Sequence, residues 1–135
     1  MAELTGGCLC GAVRYMTTAQ PVFSGVCHCR DCQRFTGSAF GTVAGVPKEA
    51  ITIDGTMKTF TSAGSSGLPI LRYFCPECGS SIAEEAGVLP GLLILNVGTL
   101  DDPKVVAPQR EIFCDDALPW VQLTGGLPRF SKHPA

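Results

Sequence analysis

Seven of the eight cysteines fall into three short runs: Cys8 and Cys10, then Cys27, Cys29 and Cys32, then Cys75 and Cys78. Thiolates two or three positions apart can converge on one metal ion, and zinc prefers soft sulfur in a tetrahedral shell. Joining the C-x-C pair Cys8/Cys10 to the C-x-x-C pair Cys75/Cys78 closes a four-thiolate site. Such a site would tie the N-terminal stretch to the middle of the chain and contribute on the order of 10 kcal/mol to folding. The remaining run, Cys27, Cys29 and Cys32, offers three thiolates and leaves one tetrahedral position open, the pattern of a catalytic zinc. An alternative joins Cys29/Cys32 to Cys75/Cys78 as a zinc ribbon, but it strands Cys8, Cys10 and Cys27. The assignment that uses all seven is preferred.

A thiol arriving at the open position would lose its proton and could then attack a nearby carbonyl. Alternatively the carbonyl oxygen takes that position and the metal acts as a Lewis acid. Three thiolates with one divalent cation already carry a formal charge of about −1, which favours thiolate delivery over polarisation of water. The same electron richness makes the metal labile, so partial occupancy of this second site is compatible with the pattern. His28 lies between two proposed ligands and is expected to point away from the metal, in a supporting or solvent-facing role. Arg30 and Arg34 flank the cluster and, were the substrate to carry carboxylates, would be the nearest candidates to meet them, on equal terms with a reading as solvated surface arginines. Ser38, after Gly37, is a candidate to lend a hydroxyl to the site or to form a turn. Asp31 and Glu77 read as solvated and His133 as surface. The lone Cys114 reads as a small buried residue in a strand.

The chain has 135 residues and a formal net charge of −2, a length that suits one domain over 1–135. No basic stripe is present, which argues against nucleic acid as a partner. The N-terminus lacks a basic region followed by an apolar one, so no secretory signal is expected. The longest apolar run, Leu92 to Leu95, is far too short to cross a bilayer. A cytoplasmic location is the resulting expectation. In a reducing compartment these cysteines read as ligands rather than disulfides, and C-x-C neighbours are poorly placed to bond each other.

The positioning elements read as strands. Residues 12–17, 39–44, 50–53, 57–61 and 70–74 are alternating or β-branched. Asp54-Gly55 between two of them is a hairpin signal. The run 70–74 feeds into Cys75 and 80–84 leaves Gly79, so 75–79 reads as a knuckle between antiparallel strands, with Gly79 supplying a positive φ. Leu92 to Val97 reads as a buried strand, and 99–103 as a turn. One short helical turn is expected after Cys29. Pro119-Trp120 and Leu127-Pro128 argue for short irregular C-terminal pieces. The class is mainly β.

Taken together, Gly7-Cys8-Leu9-Cys10-Gly11 through Tyr15, Cys27-His28-Cys29-Arg30-Asp31-Cys32 through Ser38, Phe74-Cys75-Pro76-Glu77-Cys78-Gly79, and Pro119-Trp120 with Leu127 to Phe130 resemble the motifs of the glutathione-dependent formaldehyde-activating enzyme family, also described as S-(hydroxymethyl)glutathione synthase-like. The resemblance covers nearly the whole chain in order. It implies a β-tent fold of small antiparallel sheets around a structural zinc on Cys8, Cys10, Cys75 and Cys78. It also implies a second, catalytic-type zinc on Cys27, Cys29 and Cys32, in agreement with the spacing. The named reaction joins glutathione and formaldehyde and is classed as a carbon–sulfur lyase. A departure is Glu111-Ile112, where family members often carry His-Ile. Cys114, in the same segment, is not a family hallmark.

The expectation is therefore a zinc enzyme acting on a thiol such as glutathione and a small aldehyde; a homodimer is compatible with this reading. The alternative is a non-catalytic zinc module that binds a protein partner or carries metal. The triple cluster discriminates, since a purely structural module needs only the four-cysteine site. A thiol–disulfide oxidoreductase built on Cys29-x-x-Cys32 would want a βαβ context that is missing.

Overall fold

The computed structural model describes residues 3–134. Ten strands carry most of the regular structure: β1 (Leu4–Gly7), β2 (Arg14–Thr17), β3 (Phe23–Cys27), β4 (Gly41–Pro47), β5 (Ile51–Asp54), β6 (Lys58–Ala63), β7 (Pro69–Phe74), β8 (Ser81–Ala86), β9 (Leu92–Asn96) and β10 (Glu111–Ile112). The one α-helix among the described residues, α1 (Arg30–Thr36), begins just after Cys29. Mainly β architecture, the short helix, the buried strand at 92–96 and the irregular C-terminal stretch all follow the sequence reading.

The strands form two sheets, one ordered β1-β2-β5 and the other β10-β3-β4-β9-β8-β7-β6. Every pairing is antiparallel except β10 against β3. Side chains alternate across a strand, so each face of the large sheet has its own population. One face sends Ala44, Val46, Ala83, Leu93 and Leu95 into the core, where they meet Leu4, Val13 and Tyr15 of the small sheet. The other face carries one continuous row set by the register: Phe23 opposite Gly45, Gly45 opposite Ile94, Ile94 opposite Glu84, Glu84 opposite Arg72. Gly45 is required in that row. A Cβ there would lie 2.3 Å from the Phe23 ring, so glycine is what lets the aromatic ring lie across the strand.

Asp54-Gly55 does not close a hairpin. β5 pairs with β2 in the small sheet, while β6 pairs with β7 at the edge of the large one. The Asp-Gly step is the corner at which the chain leaves one sheet for the other. Gly55 has φ of +100°, and a Cβ would fall 2.2 Å from the Ala12 carbonyl oxygen. The glycine signal marked a real backbone constraint, but the tight approach is to the loop before β2 rather than between β5 and β6. No helix among the described residues is long and apolar enough to cross a membrane.

Candidate metal and substrate site

Four sulfurs converge where the N-terminal turn meets the knuckle. The Sγ atoms of Cys8, Cys10, Cys75 and Cys78 all lie within 4.8 Å of one another. Cys8 and Cys10 are 3.6 Å apart, and Cys10 and Cys75 are 3.8 Å apart. A tetrahedral shell with metal–sulfur bonds of about 2.3 Å needs sulfurs about 3.8 Å apart. Backbone amides already point at the sulfurs. The Val13 N–H donates to Cys8 Sγ at 3.2 Å, and those of Glu77 and Cys78 donate to Cys75 Sγ at 3.4 and 3.5 Å. The Ser80 hydroxyl, 3.2 Å from Cys78 Sγ, draws that thiol down to about 5. Donor set, spacing and hydrogen bonding fit a metal ion such as zinc. The knuckle is the expected one, between β7 and β8 with Gly79 at φ +76°.

The second cluster sits at the junction of β3 and α1. The Sγ atoms of Cys27, Cys29 and Cys32 lie within 4.8 Å of one another. Cys29 caps α1 by accepting the Cys32 N–H at 3.2 Å. The three thiols are strongly coupled. Hydrogen bonds from the thiols of Cys27 and Cys32 hold Cys29 toward the thiolate; Cys29 in turn pushes Cys27 up, and Cys27 first and Cys29 second push Cys32 up. Three sulfurs this close would repel one another as thiolates, and a bound cation would offset that repulsion. These three donors suit zinc or another thiophilic ion.

This triple cluster opens into a cavity of about 530 Å³, whereas none of the other five cysteines, the four-sulfur cluster included, lines it. Its walls are the outer row of the large sheet, with Phe23 and Cys27 from β3, Val43 from β4, Ile94 from β9 and Ile112 from β10. Phe113 adds a ring through the left-handed backbone (φ +54°) that it alone adopts among the described non-glycine residues. Across the cavity Arg72 Nη1 meets Glu84 Oε2 at 2.8 Å, both side chains buried. The Arg72 guanidinium lies 5.3 Å from the centre of the Phe35 ring. Burial raises the Glu84 carboxyl from its ordinary range, and Arg72 opposes that shift.

Arg30, Arg34 and Ser38 are all solvent-exposed and lie outside this lining. Arg30 instead bonds the Gln33 side chain, and Ser38 follows the left-handed cap at Gly37. The arginines that line the cavity are Arg72 and Arg110, which the sequence reading missed. Arg72 carried a legible signal: a charged residue inside the apolar run Ile70 to Phe74 must find a buried partner. Arg110, beside a two-residue strand, carried none.

His28 does point away from the cluster, yet not to solvent. It is fully buried behind β3, with Nε2 2.8 Å from Glu111 Oε1 and its ring 5.6 Å from that of Phe40. Glu111 is also 3.6 Å from Arg129 Nε. Glu111 therefore braces the loop between Cys27 and Cys29 from the back of the sheet rather than shaping the cavity. Cys114 is half-buried in a 3-10 turn (Cys114–Asp116), not in a strand, and its Sγ donates to the Glu111 carbonyl at 3.6 Å. His133 is exposed but takes part in the cavity wall, edge-on to Phe113 and 3.3 Å from the Ser65 hydroxyl.

The model of the glutathione-dependent formaldehyde-activating enzyme family matches residues 3–116. The chain belongs to that family. No curated protein sequence matches it. Among solved structures, a Rhodobacter sphaeroides protein from a structural genomics programme superposes with a TM-score of 0.59 at 19% identity, covering 93% of this chain and 98% of that one. At that identity the likeness speaks to the fold alone. For this family member both cysteine clusters and the cavity come from its own geometry.

The ion pair in the cavity wall can be tested directly. Arg72→Met should destabilise the protein by about 3–5 kcal/mol, because it leaves a buried carboxylate without a partner. Arg72→Met combined with Glu84→Leu should recover most of that loss. Urea denaturation of the two single variants and the double variant closes the cycle.

Proposed function

We propose that the protein is a zinc-dependent enzyme of the carbon–sulfur lyase type, joining a thiol, such as glutathione, to formaldehyde or a related small aldehyde at the Cys27, Cys29 and Cys32 site. One observation carries this reading: the cluster with only three sulfurs is the one that opens into the cavity, and the cluster with four is not. Family membership supports the same chemistry.

In the reaction the thiol sulfur forms a bond to the carbonyl carbon while the carbonyl π bond breaks. The thiol proton ends on the former carbonyl oxygen, giving a hydroxyalkyl thioether. The reverse direction is the lyase reaction. A zinc ion held by the three cysteines would supply acidification of the incoming thiol. The chain supplies the rest. Cys29, the sulfur most readily ionised, anchors the cluster at the start of α1. His28 and Glu111 fix the loop that carries Cys27 and Cys29. The apolar walls keep bulk water from the adduct, which would otherwise revert in exchange with solvent.

The test is a titration of thiols into protein reconstituted with cobalt(II). Thiol addition should alter the sulfur-to-cobalt charge-transfer spectrum of one metal population and leave the other unchanged. Subsequent addition of formaldehyde should accelerate formation of the hydroxymethyl thioether, followed by NMR exchange. If no thiol perturbs either cobalt population, the proposal is wrong.

A further inference from the structure

The charges in the cavity can be counted. Arg72 is neutralised by Glu84 at 2.8 Å. Asp31, an exposed residue of α1, also lines the cavity. Arg110 is half-buried, lines the cavity, and has no carboxylate partner among the described residues. The polar side chains nearby are largely committed. The Ser24 hydroxyl donates to the Ala107 carbonyl at 2.7 Å, Ser65 meets His133, and Ser66 accepts from the Leu68 N–H. Most of the remaining wall is apolar: Phe23, Val43, Ile70, Ile94, Ile112 and Phe113.

A cavity of this kind selects by burying apolar surface and by one charge-assisted contact. Formaldehyde is far too small to use about 530 Å³ of space. Glutathione would bring two carboxylates and an ammonium, and among the described residues only Arg110 offers one of the carboxylates a free guanidinium here. Leaving the other carboxylate against the apolar wall without a cationic partner carries a desolvation cost.

We infer that this cavity is a specificity site for a small thiol with an apolar body and a single carboxylate, its sulfur directed to Cys27, Cys29 and Cys32 and its carboxylate held by Arg110. The inference rests on the reading that the triple cluster receives a thiol, and it narrows that reading from thiols in general to one class.

Calorimetric titration of the zinc-loaded protein tests it with three probes: 2-mercapto-3-phenylpropanoate, its primary amide, and glutathione. The acid should bind about tenfold or more tightly than the amide, the margin of one charge-assisted hydrogen bond, and more tightly than glutathione. Arg110→Met should erase the preference for acid over amide while leaving amide affinity within about twofold. Arg110→Lys, which keeps the charge without the planar fork, should retain part of the preference. Arg110 is half-buried and has no ion-pair partner among the described residues, so neither variant removes a core contact. Tighter binding of glutathione, survival of the preference in Arg110→Met, or failure of the acid to bind would each overturn the inference. If the acid binds through Arg110 yet no thioether forms with any aldehyde, the selectivity stands and the lyase reading falls. If glutathione and formaldehyde turn over while the acid gains nothing over its amide, the lyase reading stands and the selectivity falls.

Discussion

Replacing Cys75 with serine should abolish the cooperative unfolding transition of this protein. Cys75 is completely buried between β7 and β8, and its amide and carbonyl close the knuckle by bonding the Ser80 carbonyl and the Gly79 N–H. Serine fits that space and its backbone bonds are unchanged, so packing alone predicts a modest effect. The metal argument predicts a very large one. A hydroxyl is a far poorer partner than a thiolate for a soft ion, and a structural zinc site of this kind is worth on the order of 10 kcal/mol at neutral pH. That is comparable to the whole stability of a typical domain, about 5–15 kcal/mol. The four sulfurs join the turn after β1 to the β7–β8 knuckle, and so tie the small sheet to the large one. The measurement is thermal unfolding by circular dichroism, with zinc content measured on the same sample. A sharp transition in Cys75→Ser with only a small loss of midpoint would mean that the core carries the fold and the four-cysteine site is dispensable.

How much of this was legible in the sequence depends on the distance over which each feature acts. The cysteine runs are local, so their spacing already marked which sulfurs could share an ion, and the 75–79 knuckle followed from flanking strand character with a glycine at the end. The Asp54-Gly55 signal was equally local but ambiguous. Turn chemistry specifies a change of direction, and it was the pairing of β5 with β2 that decided the partner. The cavity was least legible, because it is assembled by register across six strands. Phe23, Gly45, Ile94, Glu84 and Arg72 form one row, though nothing in their separate neighbourhoods announces it. Charged residues near the cluster in sequence, Arg30 and Arg34, were natural candidates for substrate contact. The helix carries both of them outward, and strand register brings in Arg72, while Arg110 arrives beside β10. His28 shows the same effect on a smaller scale. Alternation along the strand turned it to the back of the sheet, where Glu111 made burial of its ring tolerable.

Cys29→Ser should have the opposite profile to Cys75→Ser: fold retained, thiol chemistry lost. Cys29 lies at the mouth of α1, partly accessible, and its Sγ accepts the Cys32 N–H that would otherwise be an orphan donor of the first helical turn. A serine oxygen accepts the same bond and is among the best N-cap groups, so the helix loses little. The cluster, however, keeps only two thiolates, and it loses the one that its neighbours hold ionised. Zinc content should fall from about two ions per chain to about one, while the melting transition stays cooperative. Thiol-dependent spectral change in the cobalt form should disappear, and adduct formation should drop by at least about a hundredfold, since removing even an outer partner of a metal ligand costs about 10–100-fold. The comparison of the two serine variants isolates the division of labour between the clusters, because the substitution is the same and only its place differs. Should Cys29→Ser unfold the protein as thoroughly as Cys75→Ser, both clusters would be structural and the cavity would have lost its chemical pole. Should Cys29→Ser keep full thiol response, the reacting position would lie elsewhere on the cavity wall.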